Sequence, residues 1–299
     1  MSILSIQSHV CYGHVGNAAA VFPLQRLGFD VWPVHCLQFS NHLGYSDWSG
    51  EVFATEQVAE VLKGIERRGV FPDCEAVLSG YLGTAELGDA VLETVASVRQ
   101  ANPRALFLCD PVMGDEDTGV YVHPEIPDFM RFGALKSADI ITPNLFELGI
   151  LADREVYDRG TALAAARHLL NDNRTNLKIV MVTSIPVQPV HATEARDPER
   201  ERIGILVVTR QSAHLATTPK LDFGPLVKGT GDVIAALFLG RLLRNQGDAG
   251  QALQGAMSSL YGVLDETLRR GTDELCLIAA QEKISAPDLN DLTFMALTD

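Results

Sequence analysis

Apolar residues in this chain follow two periods that alternate along its length. Short β-branched or apolar runs stand at 3–7, 31–37, 75–79, 105–109, 139–142, 178–183 and 203–208. Their brevity and composition read as strands. Helical periods lie between several of them. Over 84–100, Leu87, Val91, Val95 and Val98 fall on one stripe, and over 249–269 Leu253, Met257, Leu260, Leu264 and Leu268 do the same. Strand and helix in alternation predict an α/β fold, with a mostly parallel central sheet covered by helices on both faces. Two stretches break the pattern. Residues 38–53 mix aromatic and polar groups and read as a loop or small β-flap; 186–202 carry acids and arginines after two prolines and read as a solvated connection between strands. Neither marks a boundary and no repeat is visible, so 1–299 reads as one domain.

Composition narrows the partners. Apolar residues make up 46% of the 299, enough for a sizeable core, and 24 basic against 38 acidic residues leave a net charge of −14. Such a surface repels nucleic acid and anionic membrane, and no apolar stretch approaches the roughly 18 residues of a span. A phosphate ligand stays open, because local N–H groups and a metal can overcome the global field. The five cysteines form no CxxC pair; they read as small buried hydrophobes of a reducing cytosol. The N-terminus has no basic region before its first strand-like run, which argues against a signal peptide and for a cytoplasmic protein.

The sharpest local feature is Gly229-Thr230-Gly231-Asp232, set before the apolar run Val233–Leu239. That run reads as a buried helix, so the turn places bare N–H groups at a helix N-terminus, where partial positive charge gathers. A carboxylate beside such an anion hole suits phosphoryl transfer to a hydroxyl: the amides hold the phosphate and Asp232 takes the proton. The plainer alternative is a glycine turn in which Asp232 caps the helix.

The ends of the strand-like runs are polar. They read Gln7-Ser8-His9, Ser79-Gly80-Tyr81, Asp110-Pro111, Thr142-Pro143-Asn144 with Glu147 following, and Thr183-Ser184. In an open parallel sheet ligands bind beyond these ends. Asp110, Asp115 and Glu147 are the candidate metal-side carboxylates, since Mg²⁺ takes one or two protein oxygens plus water and phosphate oxygens; Glu147 also reads as a carboxylate at a helix start. The acidic segment Gly114–Gly119 lies between Pro111 and Pro124 and reads either as a lid or as a passive surface loop. Histidines 9, 14, 35 and 42 lack zinc spacing and read as core or pocket groups. There is no P-loop, and Gly13-His14-Val15-Gly16 lacks the dinucleotide glycine spacing.

Taken in order, Gln7-Ser8-His9-Val10, Gly16-Asn17 with Phe22-Pro23-Leu24, Gln38–His42, Ser79-Gly80-Tyr81, Cys109–Asp115, Thr142-Pro143-Asn144 with Glu147, and Gly229–Asp232 resemble the pyridoxal kinases of the ribokinase-like superfamily. The last three motifs are general to that superfamily; the first four are narrower and point to its vitamin B6 branch. The resemblance implies an ATP-dependent kinase of the pyridoxal 5′-hydroxymethyl group, using Mg²⁺ and a potassium-type ion. It implies Asp232 as base and Gly229, Thr230 and Gly231 as anion hole. Asp110, Asp115 and Glu147 would surround Mg²⁺, directly or through water, with Asp110 and Thr142 serving the monovalent ion. Asn144, Thr183 and Ser184 would touch the nucleotide phosphates, Asp110 and Glu147 lying on the ATP side as well. Ser8 would bond the polar edge of the pyridine ring, Tyr81 would pack on its face, and His42 would line the pocket. The 112–124 segment would be the lid, and a homodimer would form near the 38–53 flap.

One position departs: Leu43 follows Ser-Asn-His where many relatives have threonine, so a hydroxyl contact to the ring is missing or replaced. Two rivals stay open at this level. One is a kinase of another hydroxymethyl substrate, such as the pyrimidine precursor of thiamin, or of a sugar. The other is a B6 carrier or sensor with little turnover, against which the intact Gly-Thr-Gly-Asp turn and acidic positions argue. Lys228, just before the turn, reads as a solvated lysine within reach of a phosphate.

Overall fold

The computed structural model describes residues 1–187, 201–224 and 226–297. Its strands are β1 (Ser2–Val10), β2 (Asp30–Phe39), β3 (Gly50–Val52), β4 (Cys74–Ser79), β5 (Leu106–Cys109), β6 (Gly114–Asp115), β7 (Gly119–Val120), β8 (Ile140–Ile141), β9 (Ile179–Val187), β10 (Arg202–Thr209), β11 (Ala213–Pro219) and β12 (Thr293–Leu297). Ten of them form one sheet in the order β12-β11-β10-β9-β8-β5-β4-β1-β2-β3, while β6 and β7 make a separate hairpin. From β9 through β2 neighbours run parallel. The pairs at both margins are antiparallel.

Helices cover both faces, as the alternating periods predict. One apolar cluster packs helices Thr55–Glu66, Ala85–Ala101, Leu145–Ala152 and Arg159–Leu170 on the sheet; the other packs Asn17–Arg26, Thr230–Arg244 and Ala249–Arg270 on the opposite face. The central strands carry side chains into both clusters, which is why they read as continuous apolar runs. Val91, Val95 and Val98 are buried as expected, and so are Leu253, Met257 and Leu260. Leu268 corrects the second stripe. It is 41% exposed, because the buried face of that helix passes instead through Val263 and Thr267. Among the described residues no helix is long and apolar enough to cross a membrane.

Chain order reverses between β4 and β1: from β1 the chain moves to β2 on one side and returns to β4 on the other. This switch point opens a crevice at the carboxyl ends of the strands. β3, three exposed residues, falls in the stretch read as a loop or small β-flap. Two sheet strands were not legible: β12 is an edge strand with no alternating pattern, and the polar residues of β11 (Thr217, Thr218) are buried by the sheet itself. The 178–183 run is longer than expected, since β9 continues to Val187 and pairs with Arg202 at the start of β10. Of the 186–202 connection, 188–200 lie outside the described residues.

Candidate active site

The Gly-Thr-Gly-Asp turn opens the helix Thr230–Arg244, with Gly229 as its N-cap at φ 88°. Two constraints make that residue glycine. The left-handed backbone disfavours a side chain, and a Cβ there would stand 1.8 Å from the carbonyl oxygen of His14. The first intrahelical bond near the turn is Val233 N–H to Gly229 C=O. The N–H groups of Thr230 and Gly231 precede it and point out of the helix end. Gly231 is exposed, with open space where a Cβ would stand.

Asp232 lies in the first turn of this helix, whose N-cap, Gly229, has no side chain to cap it. The N–H groups of Gly16 and of Asp232 itself lie close to its carboxylate. Burial pushes its carboxyl up to about 6, and those N–H groups pull the other way. Gly16 is wedged in turn. Its φ is 55°, and a Cβ would stand 2.4 Å from Ser8 Oγ. The Gly13–Gly16 segment, unremarkable as a nucleotide motif, is thus the spacer that brings the end of β1 against the Gly229–Asp232 turn.

Asp110 follows β5 and is buried, and its Oδ1 accepts a 2.7 Å bond from Thr142 Oγ1 at the end of β8. Burial first, then the charges of Glu147 and Asp232, push its carboxyl well above the usual range; Thr142 opposes them. Three expected site residues from three parts of the chain therefore share one electrostatic environment. Burial raises Glu147 to about 7 against the N–H groups it holds.

Glu147 and Asn144 grip the base of the 112–124 segment. Glu147 Oε1 accepts from Met113 N (2.9 Å), its Oε2 from Asn144 N (3.0 Å), and Asn144 Oδ1 accepts from Glu147 N (2.8 Å). Asn144 Nδ2 donates to Gly114 O at 2.8 Å. This is a capping box at the start of the helix Leu145–Ala152, extended onto the neighbouring segment. The segment itself is the β6–β7 hairpin. Asp115 Oδ1 accepts from both Thr118 N and Thr118 Oγ1 at 2.8 Å. Burial raises the Asp115 carboxyl, but these bonds and the charge of Lys228 hold it below the ordinary value. Half of the Asp115 carboxylate is thus spent on shaping the turn. Tyr121, on the same segment, is raised first by burial and then by the charges of Glu147, Asp110, Asp115 and Asp232. It faces the acidic cluster, and sequence reading did not single it out.

Thr183 and Ser184 do not end their strand. Gly204 pairs with Ile185 and Leu206 with Val182, so both residues oppose Ile205 alone. Ser184 takes φ 60° in this bulge, a device that re-aims side chains beside active sites. Thr183 N also bonds Pro143 O, 2.9 Å away, which ties the bulge to the Thr142–Asn144 turn.

His42 and Leu43 lie in the 38–53 flap. His42 is buried, and Leu43 beside it is 61% exposed. His42 Nδ1 accepts from Gly44 N (3.1 Å), and its Nε2 stands 3.3 Å from Glu274 Oε1. Tyr81, after β4, is half-buried, its backbone carbonyl accepting from Cys36 Sγ. His9 and His35 stack at 4.2 Å between ring centres, and His35 Nδ1 is 3.0 Å from Asn17 Nδ2. Among the described residues no group of three His, Cys, Asp or Glu could hold a metal by itself.

The sequence family described as phosphomethylpyrimidine kinase matches residues 51–276. A curated relative from Rubrobacter xylanophilus, pyridoxal kinase PdxY, is 53% identical over 288 residues, covering 96% of this chain and 94% of that protein. Two solved structures of pyridoxal kinase from Leishmania donovani superpose on nearly all of the chain. The complex with ADP and pyridoxine has TM-score 0.86 at 29% identity, and the complex with ADP and pyridoxamine 0.84 at 31%, each covering 99% of both chains.

Proposed function

The chain belongs to the family of pyridoxal and phosphomethylpyrimidine kinases, and on that premise we propose that it transfers the terminal phosphoryl group of ATP to the 5′-hydroxymethyl group of pyridoxal, giving pyridoxal 5′-phosphate. The observation that carries this reading is Asp232. It is a carboxylate held near neutrality by burial, at the first turn of a helix whose leading N–H groups face open space. An alcohol attacks poorly until a base accepts its proton as the bond to phosphorus forms. A base with a pKa near the working pH does this well. The 5′ oxygen attacks phosphorus as the bond to the bridging oxygen of ADP breaks. Asp232 takes the hydroxyl proton, and the Thr230 and Gly231 amides stabilise charge on the equatorial oxygens.

Ser8, Tyr81 and His42 would form the acceptor side. Asn144, Thr183 and Ser184 would lie along the nucleotide phosphates, with Asp110 and Glu147 behind them. Asp110 fits a divalent cation: it is an oxygen donor whose ionisation Glu147 and Asp232 oppose, so positive charge there relieves the cluster. Mg²⁺ held by Asp110, and by Glu147 and Asp115 directly or through water, would neutralise phosphate charge. Asp110 and Thr142 would serve a potassium-type ion. The lid role of 112–124 is supported by its grip on Asn144 and Glu147. A single working domain over 1–299, a cytoplasmic location and a homodimer contacting through the 38–53 flap complete the reading.

The test is a coupled assay of ATP consumption over pyridoxal, pyridoxine, pyridoxamine and hydroxymethylpyrimidine, with Mg²⁺ and K⁺ present. Turnover of the B6 vitamers is expected, with a preference among them that Leu43→Thr changes. Turnover of the pyrimidine alone overturns the substrate. Tight pyridoxal binding without ADP release overturns the activity in favour of a carrier.

A further inference from the structure

Glu274 lies in the segment after the helix Ala249–Arg270, far in sequence from every motif above. Its side chain is 12% exposed. It meets three groups from two other parts of the chain. Glu274 Oε1 accepts from Tyr45 Oη at 2.8 Å and stands 3.3 Å from His42 Nε2. Glu274 Oε2 accepts from the backbone N–H of His14 at 3.1 Å. The approach is so close that a Cβ on Gly13 would stand 2.4 Å from the same oxygen.

Each contact bears on the site. His42 and Tyr45 belong to the flap, and their rings pack at 4.7 Å between centres. His42 Nδ1 is already an acceptor for Gly44 N, which leaves Nε2 as the protonated nitrogen; it is buried without a hydrogen bond, 3.3 Å from the carboxylate. His14 lies in the Gly13–Gly16 spacer, whose last N–H reaches Asp232. One carboxylate therefore joins the flap over the acceptor pocket to the loop that sets the catalytic base.

We infer that Glu274 is a positioning residue for the acceptor half of the site: through Tyr45 and the His14 N–H it holds the flap against the Gly13–Gly16 loop. The inference rests on the B6 kinase reading for the identity of the acceptor, but not for the existence of the clamp. Nothing in it touches the nucleotide side, so the two substrates should respond differently.

The experiment measures KM for pyridoxal and for ATP in wild type, Glu274→Gln, Glu274→Ala and Tyr45→Phe. Alongside it, chymotrypsin nicking is followed at Tyr45 and Trp48, inside the flap. A lost hydrogen bond to a charged group is worth enough to raise the pyridoxal KM of Glu274→Ala by about tenfold. The ATP KM should stay within about twofold, a change too small to signal a lost contact. Flap cleavage should be faster. Glu274→Gln keeps one acceptor oxygen and should fall between, and Tyr45→Phe should show a smaller shift of the same kind together with faster cutting at Trp48. A pyridoxal KM unchanged in Glu274→Ala, both KM values rising together, or flap cleavage at the wild-type rate overturns the inference. If Glu274→Ala does not fold, Tyr45→Phe decides by the same criteria. A wild-type enzyme active only on hydroxymethylpyrimidine would overturn the pyridoxal assignment; the clamp would then be judged by the KM for that acceptor and by cleavage.

Discussion

The backbone N–H of Gly16 lies close enough to the carboxylate of Asp232 to hold its pKa down against burial, so the loop after the first strand bears on the proposed base in the first turn of the helix Thr230–Arg244. A backbone donor keeps its direction without any side-chain rotamer to order. It also favours the ionised form that accepts a proton. Burial acts more strongly the other way and leaves the Asp232 carboxyl pushed up to about 6.

Asp232→Asn should fold and bind both substrates, yet lose about 10²–10⁴ in kcat, the typical worth of a general base. Steady-state turnover on pyridoxal, with circular dichroism to check the fold, measures this. Near-full activity would remove Asp232 from the proton transfer.

The same pKa sets the acid limb of the activity profile. With the carboxyl at about 6, kcat/KM should fall as pH drops through that value, because a protonated Asp232 has nothing left to accept with. A profile flat down to pH about 4, the ordinary carboxylate range, would place the base elsewhere.

Stability should run the opposite way with pH. A carboxyl whose folded pKa is raised favours the fold most when protonated. The contributions of Asp232 and Glu147 are therefore complete below the ordinary carboxylate range and are lost as pH rises through about 6 and about 7. In the ligand-free protein at pH 8, Asp232→Asn should be more stable than wild type by on the order of 1–3 kcal/mol, and the difference should narrow toward pH 4. Denaturant titrations at both pH values test this; a gap independent of pH would contradict it.

Two glycines of one turn should behave differently. Gly229→Ala forces a side chain into a left-handed backbone and onto His14 O, so it should cost about 1–3 kcal/mol of stability as well as turnover. Gly231→Ala meets open space; it should leave the melting temperature within a degree or so of wild type while raising the KM for ATP, because the new methyl stands before the phosphate. Melting curves and ATP kinetics for the pair separate the fold from the anion hole.

Glu147→Gln probes the lid. The carboxylate accepts from Met113, Gly114 and Asn144 N–H groups, and an amide must turn its NH₂ toward one of those donors. A raised KM for ATP and faster hydrogen exchange over 112–124 are expected. Unchanged exchange would mean that the hairpin holds itself.

How legible the site was depended on whether its parts are local. Gly229–Asp232 is a turn and a helix start in four consecutive residues, and its chemistry can be read directly from them. Asn144 and Glu147 are likewise one capping box, although its extension onto Gly114 was hidden. Tyr121 gave little signal, because an aromatic in a loop says nothing of the carboxylates it faces. Glu274 gave none. Its partners Tyr45 and His14 come from the other end of the chain, and only the packing of the C-terminal segment beside the flap makes it more than a solvated acid. Leu268 erred in the opposite sense: helical spacing put it on the apolar stripe, but the buried face of that last turn is the one carrying Val263 and Thr267.

By itself the sequence determined the alternation of strand and helix, the two-faced burial of the central strands and the chemistry available at their carboxyl ends, because periodicity and side-chain type are properties of neighbours along the chain. Tertiary structure alone decided where those ends meet. The reversal of strand order between β4 and β1, the bulge at Ser184 and the close approach of Gly229 to His14 each arise from contacts between segments remote in sequence. Close packing sets such distances, and no local pattern encodes them.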